Sequence, residues 1–128
     1  MYKLPDSDDM AFCFACDGLI NLQDYDQYFV PGLVEIIQKR GALYMVVCFK
    51  NYEGWDEGAM LSDLETHMKY GPEVARIAFI NAPENFRLKM NVMEDHTAGE
   101  VRYYGDEDYE KAVNWVKHGD EDAGAAAG

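Results

Sequence analysis

The chain alternates between hydrophobic patterns typical of strands and patterns typical of helices. Residues 43–49 (LYMVVCF) and 74–81 (VARIAFIN) are apolar runs of strand length, which predict strands covered on both faces of a sheet. An earlier strand is predicted at residues 10–20, where Gly18 interrupts the pattern near its end. The last strand is predicted at residues 100–104.

Four helices are predicted to follow these strands. The first begins after Asn21, a residue type that caps helix N-termini well, and ends at Gly41. Its apolar residues fall at helical spacing, and Pro31 among them predicts a kink near Val30. The other three helices are predicted at residues 56–70, 84–94 and 106–118.

This regular order of strands and helices predicts the fold class. Four successive β/α units favour a single α/β domain around a mostly parallel sheet with right-handed crossovers. Residues 1–9 are compatible with an extra short N-terminal edge strand. The domain is expected to occupy residues 1–119, and the acidic, then Ala- and Gly-rich stretch at residues 120–128 is expected to be disordered. With the apolar residues assigned to the core, no exposed apolar stripe is expected.

The net charge of the chain limits the classes of partner that it is expected to bind. Its 128 residues carry a formal net charge of -13, which opposes binding to nucleic acids and to anionic membrane surfaces. The longest apolar run, residues 42–49, is far shorter than the roughly 20 residues that span a bilayer, so no stable membrane insertion is expected. No signal-peptide pattern is visible, and the expected location is cytoplasmic.

Cys13 and Cys16 form a Cys-x-x-Cys sequence whose chemistry depends on its structural setting. In a strand, residues three apart point to opposite faces, and their Cα atoms lie roughly 10 Å apart, too far for a disulfide. A metal site would need a second pair of ligands at standard spacing, which Cys48 and the dispersed histidines do not provide. We therefore expect small core residues, with no metal and no cofactor.

No catalytic residues are predicted. The sequence lacks a nucleophile elbow (G-x-S-x-G), a phosphate-binding P-loop and a dinucleotide fingerprint. An enzyme also needs a nucleophile, a base and an oxyanion donor in one cleft. The expectation is a protein without enzymatic activity.

Several segments together resemble one known family. The stretches DGLINLQDYDQYFVPGLVEIIQKRG, NYEGWDEGAMLSDLETHMKY, ARIAFIN and TAGEVRYY are similar, in order and spacing, to motifs of the SpoIIAA-like protein family, from about Met10 to Lys117. The resemblance implies the STAS-like architecture, with four β/α turns around a mostly parallel sheet. Better-known relatives are anti-sigma-factor antagonists, with a phosphorylated serine at the start of the helix after a central strand. This chain has Asp56 and Glu57 there, with Ser62 over a turn later, so that phosphoswitch is not expected.

The candidate site lies at the carboxyl edge of the sheet, where open α/β sheets bind ligands. Gly54 and Gly58 permit close backbone approach, and Tyr52 and Trp55 are large aromatic residues on a predicted loop. Asp56 either caps the second helix or contributes to the site. The candidate ligand- or partner-binding residues are Tyr52, Gly54, Trp55, Asp56, Gly58, Met60, Leu61, Phe86, Met90 and Met93.

Two functions are compatible with this site. The first is a binding or regulatory module that acts through protein contacts at the carboxyl edge and at the helix over residues 58–70. The second is a carrier or sensor of a small apolar or lipid-like ligand, held between that helix and the one over residues 83–94. The resemblance of the STAS-like architecture to lipid-binding CRAL-TRIO domains implies this second function, with transient membrane association.

The kind of partner can be narrowed further. Asp56 and Glu57 already place carboxylates at a helix N-terminus, which disfavours an anionic ligand there. A neutral or apolar ligand, or a basic protein surface, suits the site better. A homodimer through an edge strand or through the methionine-rich third helix is also compatible with the pattern.

Overall fold

A five-stranded sheet forms the frame of the protein within the residues that the structure describes. The structure, a computed structural model, describes residues 1–127 without the side chains of Met93 and of residues 120–127, and Gly128 lies outside it. The strands are β1 (Tyr2–Lys3), β2 (Phe12–Ile20), β3 (Leu43–Trp55), β4 (Val74–Ile80) and β5 (Glu100–Tyr104). They lie side by side in sequence order, with β1 antiparallel to β2 and the remaining neighbours parallel. The predicted α/β class and the N-terminal edge strand are confirmed.

Helices cover both faces of this sheet. They are α1 (Leu22–Asp24), a π-helical turn (Tyr25–Phe29), α2 (Val30–Arg40), α3 (Glu57–Tyr70), α4 (Glu84–Met93) and α5 (Tyr109–Ala127), with short 3₁₀ turns at Gly71–Glu73, Glu94–His96 and Asp106–Asp108. Side chains of α2, α3 and α4 join the core on one face of the sheet, and α5 supplies the core on the other face. The protein therefore has three layers, with the central strands buried between them.

The first helical region accommodates a proline within its length. Asn21 caps its start, because the side-chain Oδ1 accepts a backbone N–H of the first turn at 2.8 Å. Pro31 has no N–H to donate to the preceding turn, and the wider π-helical turn lies directly before it, with the Val30 N–H bonded to the Tyr25 carbonyl. The distortion predicted near Val30 is thus present as a π turn, in which Tyr25 and Phe29 are both buried.

The cysteines lie in the core on both faces of the sheet. Cys13 packs with the side chains of α5, whereas Cys16 packs in the core on the opposite face. Burial raises the pKa of Cys13 and of Cys16 to about 12, and that of Cys48 to about 11. The thiols are therefore protonated at neutral pH and are poor nucleophiles. Among the described residues, no group of three or more His, Cys, Asp or Glu side chains is placed to hold a metal ion.

The segment predicted as a loop after residues 43–49 is a continuation of β3. The strand runs on because β2 and β3 stay paired beyond their buried parts, ending with Ile20 opposite Trp55. The register shifts at Gly18, whose φ of 70° suits glycine, and this bulge keeps the two strands paired. The prediction that Tyr52 and Trp55 lie on a loop is wrong, because pairing with β2 extends the strand past its apolar run.

Helix α5 is interrupted near its predicted end. Gly119, with φ 79°, breaks the helical path directly after His118. The side chain of Arg76 donates to the Val116 carbonyl at 2.9 Å, which satisfies one of the last carbonyls before the break. The backbone of α5 continues to Ala127, but the side chains of residues 120–127 and all of Gly128 lie outside the described part of the chain. The expected disorder of residues 120–128 therefore stays a prediction. Within the residues described, no helix combines the length and apolar character that crossing a bilayer requires.

Candidate functional site

An apolar cavity lies between the sheet and the helices α2, α3 and α4. Its volume is about 50 Å³, and its lining reaches from Leu43 and Val74, at the starts of their strands, to Trp55 at the end of β3. Side chains of β2, β3 and β4 form the floor, and Phe86 and Met90 of α4 line it as well. The cavity therefore extends along the strands, beneath α3 and α4.

Helix α3 covers this cavity with its polar side. Asp63, Thr66 and His67 line the cavity, and Thr66 is buried. The opposite side of α3, called here the α3 outer face, carries exposed apolar side chains: Met60, Leu61, Leu64 and Met68. Amphipathic helices normally turn their apolar stripe toward the core. The expectation that no apolar stripe is exposed is wrong, because α3 turns its polar side toward the sheet and its apolar side toward solvent.

The Asp63 carboxylate joins three elements on the inner side of α3. Its Oδ1 accepts a hydrogen bond from the Tyr25 hydroxyl at 2.8 Å, and its Oδ2 accepts one from Lys89 Nζ at 2.5 Å. The Asp63 side chain is 13% exposed and that of Lys89 is 23% exposed. Lys89 Nζ also lies 5.1 Å from the centroid of the Trp55 ring. Because Tyr25 belongs to the π turn and Lys89 to α4, one carboxylate holds α3 to both of its neighbours.

The indole N–H of Trp55 is a buried donor at the carboxyl end of the cavity. No acceptor among the described residues forms a hydrogen bond with it. The indole ring is held edge-on between Tyr25 and Tyr52, with ring centroids 5.7 Å and 6.4 Å away. Burial raises the pKa of the Tyr52 phenol, and the Trp55 N–H, which faces the phenol oxygen, partly offsets that shift without reaching hydrogen-bonding geometry. An unpaired buried N–H costs on the order of 1–3 kcal/mol.

His67 is kept in its neutral form by its surroundings. Burial lowers its pKa; the carboxylate of Asp63 opposes this shift, whereas Lys89 and His96 add to it. Its Nε2 lies 3.3 Å from the Thr97 hydroxyl oxygen. With His67 neutral and Asp63 paired with Lys89, the polar groups on the cavity side of α3 carry no net charge.

The residues predicted from the sequence do not all meet at this cavity. Trp55, Phe86 and Met90 line it. Tyr52 and Gly54 line a shallower groove at the strand ends. Tyr52 also packs edge-on against the ring of a core residue of β3, so it connects the groove with the core.

The remaining predicted residues lie on or beside α3. Asp56 caps the helix, because its Oδ1 accepts the Ala59 N–H at 2.8 Å. Gly58 lies where a Cβ would come within 3.3 Å of the side chain of Leu22. Met60 and Leu61 point to solvent on the α3 outer face, as described above. The side chain of Met93 lies outside the described part of the chain.

The polar lining of the cavity was missed by sequence reasoning. Asp63, Thr66 and His67 recur at spacings of three and four residues, which places them on one side of a helix. That spacing is visible in the sequence, but it does not say which side of the helix faces the sheet. The ion-pair partner Lys89 lies 26 residues away on another helix.

Comparison with known proteins assigns this chain to a family. A family model described as SpoIIAA-like matches residues 11–117. The chain belongs to the SpoIIAA-like family. A similar solved structure is an uncharacterized protein from the DUF3478 family with a SpoIIAA-like fold, from Shewanella loihica PV-4. It is 25% identical, with a TM-score of 0.64, and the alignment covers 83% of each chain. No functionally curated protein matches the chain.

This SpoIIAA-like protein has acidic residues at the start of α3. Asp56 is the N-cap and Glu57 is the first helical residue, at the place where the resemblance to anti-sigma-factor antagonists would require a serine. Ser62 lies further along the helix, and its hydroxyl donates to Asp26 at 3.1 Å. A phosphate on Ser62 would stand beside that carboxylate and be repelled by it. The absence of the phosphoswitch stays a prediction.

Replacing Lys89 by Met is expected to destabilise this SpoIIAA-like protein, because Asp63 is then left charged and mostly buried. We expect the free energy of unfolding, measured by urea denaturation, to fall by about 1–3 kcal/mol. The double variant Lys89→Met/Asp63→Asn removes both charges, keeps an acceptor for Tyr25, and is expected to regain most of that loss. A single variant as stable as the parent would show that the ion pair does not hold α3 to α4.

The lowered pKa of His67 predicts a loss of stability in mild acid. Below its ordinary pKa of 6.5 the unfolded chain binds a proton at this site that the folded protein resists, so stability falls as the pH is lowered through that value. His67→Gln cannot titrate and is expected to lose less thermal stability than the parent between about pH 7.5 and about pH 5. His118→Gln, at an exposed position on α5, serves as the control and should keep the parent's slope. Parallel curves for the parent and His67→Gln would exclude His67 as the cause.

Proposed function

We propose that this SpoIIAA-like protein is a non-catalytic binding module whose ligand is a small apolar molecule. The observation that supports this function is the apolar cavity covered by α3 and α4. Small-molecule sites are mostly apolar, with a few polar groups that fix the orientation of the ligand. Trp55, Asp63 and His67 are polar groups of this kind in an otherwise largely apolar lining.

Binding requires the cavity to widen. Its volume of about 50 Å³ is below the roughly 300–1,000 Å³ of typical ligand pockets. Helix α3 is suited to move outward, because Ala59 and Thr66 are its buried residues and its attachment to the neighbouring elements is largely polar. Polar contacts can be exchanged for contacts with water, so their opening costs less than the exposure of an apolar helix face.

Two neighbouring valines of β3 provide a matched test of ligand binding. Val47 packs toward the cavity and Val46 toward α5. Val47→Leu places an extra methylene in the cavity and is expected to weaken binding of octane, a neutral apolar chain, about tenfold, with little loss of stability. Val46→Leu overpacks a filled core and is expected to cost about 1–3 kcal/mol of stability while leaving binding unchanged. The proposal fails if octane does not bind, or if both variants bind it equally well.

A second candidate function, recognition of a partner protein, is favoured by the α3 outer face. Contiguous exposed apolar surface on a soluble protein usually marks an interaction site. Leu88 and Val92 of α4 are also exposed, and they flank Lys89, which contacts α3. Glu57 and Glu65 are exposed on α3 itself, and the chain as a whole is strongly acidic. The partner that fits this surface is a protein segment with an apolar face flanked by Lys or Arg.

Synthetic amphipathic helices can test this second candidate. A Leu/Lys peptide is expected to bind and a Leu/Glu peptide of the same length is not, because only the first complements the acidic surroundings. Leu64→Ser, in the α3 outer face, should weaken binding about tenfold, whereas Tyr2→Ser, at an exposed apolar residue of β1, should have no effect. Equal binding by both variants would mean that only charge attraction is involved. A stable dimer abolished by Leu64→Ser would mean that a second copy covers this face.

A further inference from the structure

The unused donor of Trp55 narrows the chemistry of the ligand. We propose that the cavity takes a neutral, chain-like molecule with an acceptor oxygen at one end, such as a ketone, an ester or an alcohol. The oxygen accepts the Trp55 indole N–H, and the chain lies along the strands toward Leu43 and Val74. This inference rests on the proposed ligand-binding function and adds the class of ligand to it.

The requirement for an acceptor follows from the hydrogen-bonding capacity of the lining. An indole N–H can only donate, and the Trp55 N–H is buried without an acceptor among the described residues. The ring packs against Tyr25, Tyr52 and Lys89, and turning its N–H toward water would break these contacts. The Asp63 oxygens already accept hydrogen bonds from Tyr25 and Lys89. A ligand that supplies an acceptor therefore gains more here than one that supplies a donor.

The requirement for neutrality follows from the charges beside the cavity. A carboxylate ligand would have to leave water for an apolar site in which Lys89 is already paired with Asp63, and a buried carboxylate without a partner of its own is costly. A cationic ligand would have to displace Lys89 from the same carboxylate. An uncharged head group avoids both penalties.

The shape of the lining favours an extended chain. The residues of β4 that line this floor run from Val74, opposite Leu43 of β3, to Phe79, opposite Val47. At about 3.3 Å per residue, this floor is roughly 17 Å long, whereas the free volume is only about 50 Å³. A long and narrow space is widened for an alkyl chain with less displacement of α3 than for a broad ring system.

The two indole N–H groups allow a direct test by nitrogen-15 NMR. The protein is titrated with methyl hexyl ketone, octane and octanoate while the indole resonances of Trp55 and Trp115 report the hydrogen bond and the backbone amide resonances of β3 report binding. We expect the ketone to bind and to shift the Trp55 resonance downfield, octane to bind without that shift, and octanoate to bind more weakly than the ketone. Trp115 lies in the core on the α5 face, and its resonance should stay in place.

Two conservative variants complete the test. Trp55→Phe keeps an aromatic ring but removes the donor, and it should weaken binding of the ketone about fivefold while leaving binding of octane unchanged. Tyr52→Phe examines the nearest competing acceptor and should leave the Trp55 resonance of the free protein unchanged. If that resonance moves, the Tyr52 hydroxyl satisfies the indole in solution and the inference is wrong.

The outcomes separate this inference from the proposed function. If ketone and octane bind equally and Trp55→Phe affects neither, the cavity is a ligand site but the acceptor requirement is wrong. If octanoate binds more tightly than the ketone, the neutrality requirement is wrong. If none of the three molecules binds, both the inference and the proposed ligand-binding function are overturned.

Discussion

The packing of α3 on the sheet depends on how one charged side chain, Asp63, is held above an apolar layer. Helix α3 brings Asp63 to a layer of aromatic and aliphatic side chains, where an unpaired carboxylate would be costly. Lys89 from α4 and Tyr25 from the π turn both bond to this carboxylate. The Asp63 side chain therefore connects α3 to α4 and to the π turn, and the cavity lies beneath α3.

The sheet could be predicted from the sequence because few other structures would bury the apolar residues of its strands. The run at residues 43–49 has no polar residue to place toward water, and a strand buried on both faces satisfies its backbone and its side chains together. The opposite orientation of Cys13 and Cys16 follows from the two-residue period of a strand. Helix ends such as Asn21 and Gly41 are marked by local chemistry, and both act as expected.

The site was harder to predict because its determinants are not local. The sequence of α3 contains an apolar stripe with Met60 and Leu64 and a polar one with Asp63 and His67, and helical periodicity does not say which stripe faces the sheet. Tyr25 is 38 residues from Asp63 in the chain, so no short window contains the interaction that decides the orientation. The length of β3 was missed for a related reason, because its extension to Trp55 depends on backbone pairing with β2, which leaves no mark on side-chain periodicity.

The two proposed functions share one structural element, and this has an energetic consequence. The inner side of α3 covers the cavity and its outer face is the surface offered to a partner, so the position of a single helix affects both sites. A ligand that widens the cavity favours an outward position of α3. A partner that binds better to α3 in that position strengthens ligand binding, and one that binds better to the closed position weakens it by the same free energy, because coupling between binding sites is reciprocal. The Asp63–Lys89 ion pair and the Tyr25–Asp63 hydrogen bond both oppose outward movement of α3. Part of the free energy of ligand binding is therefore used to break these contacts when the cavity opens.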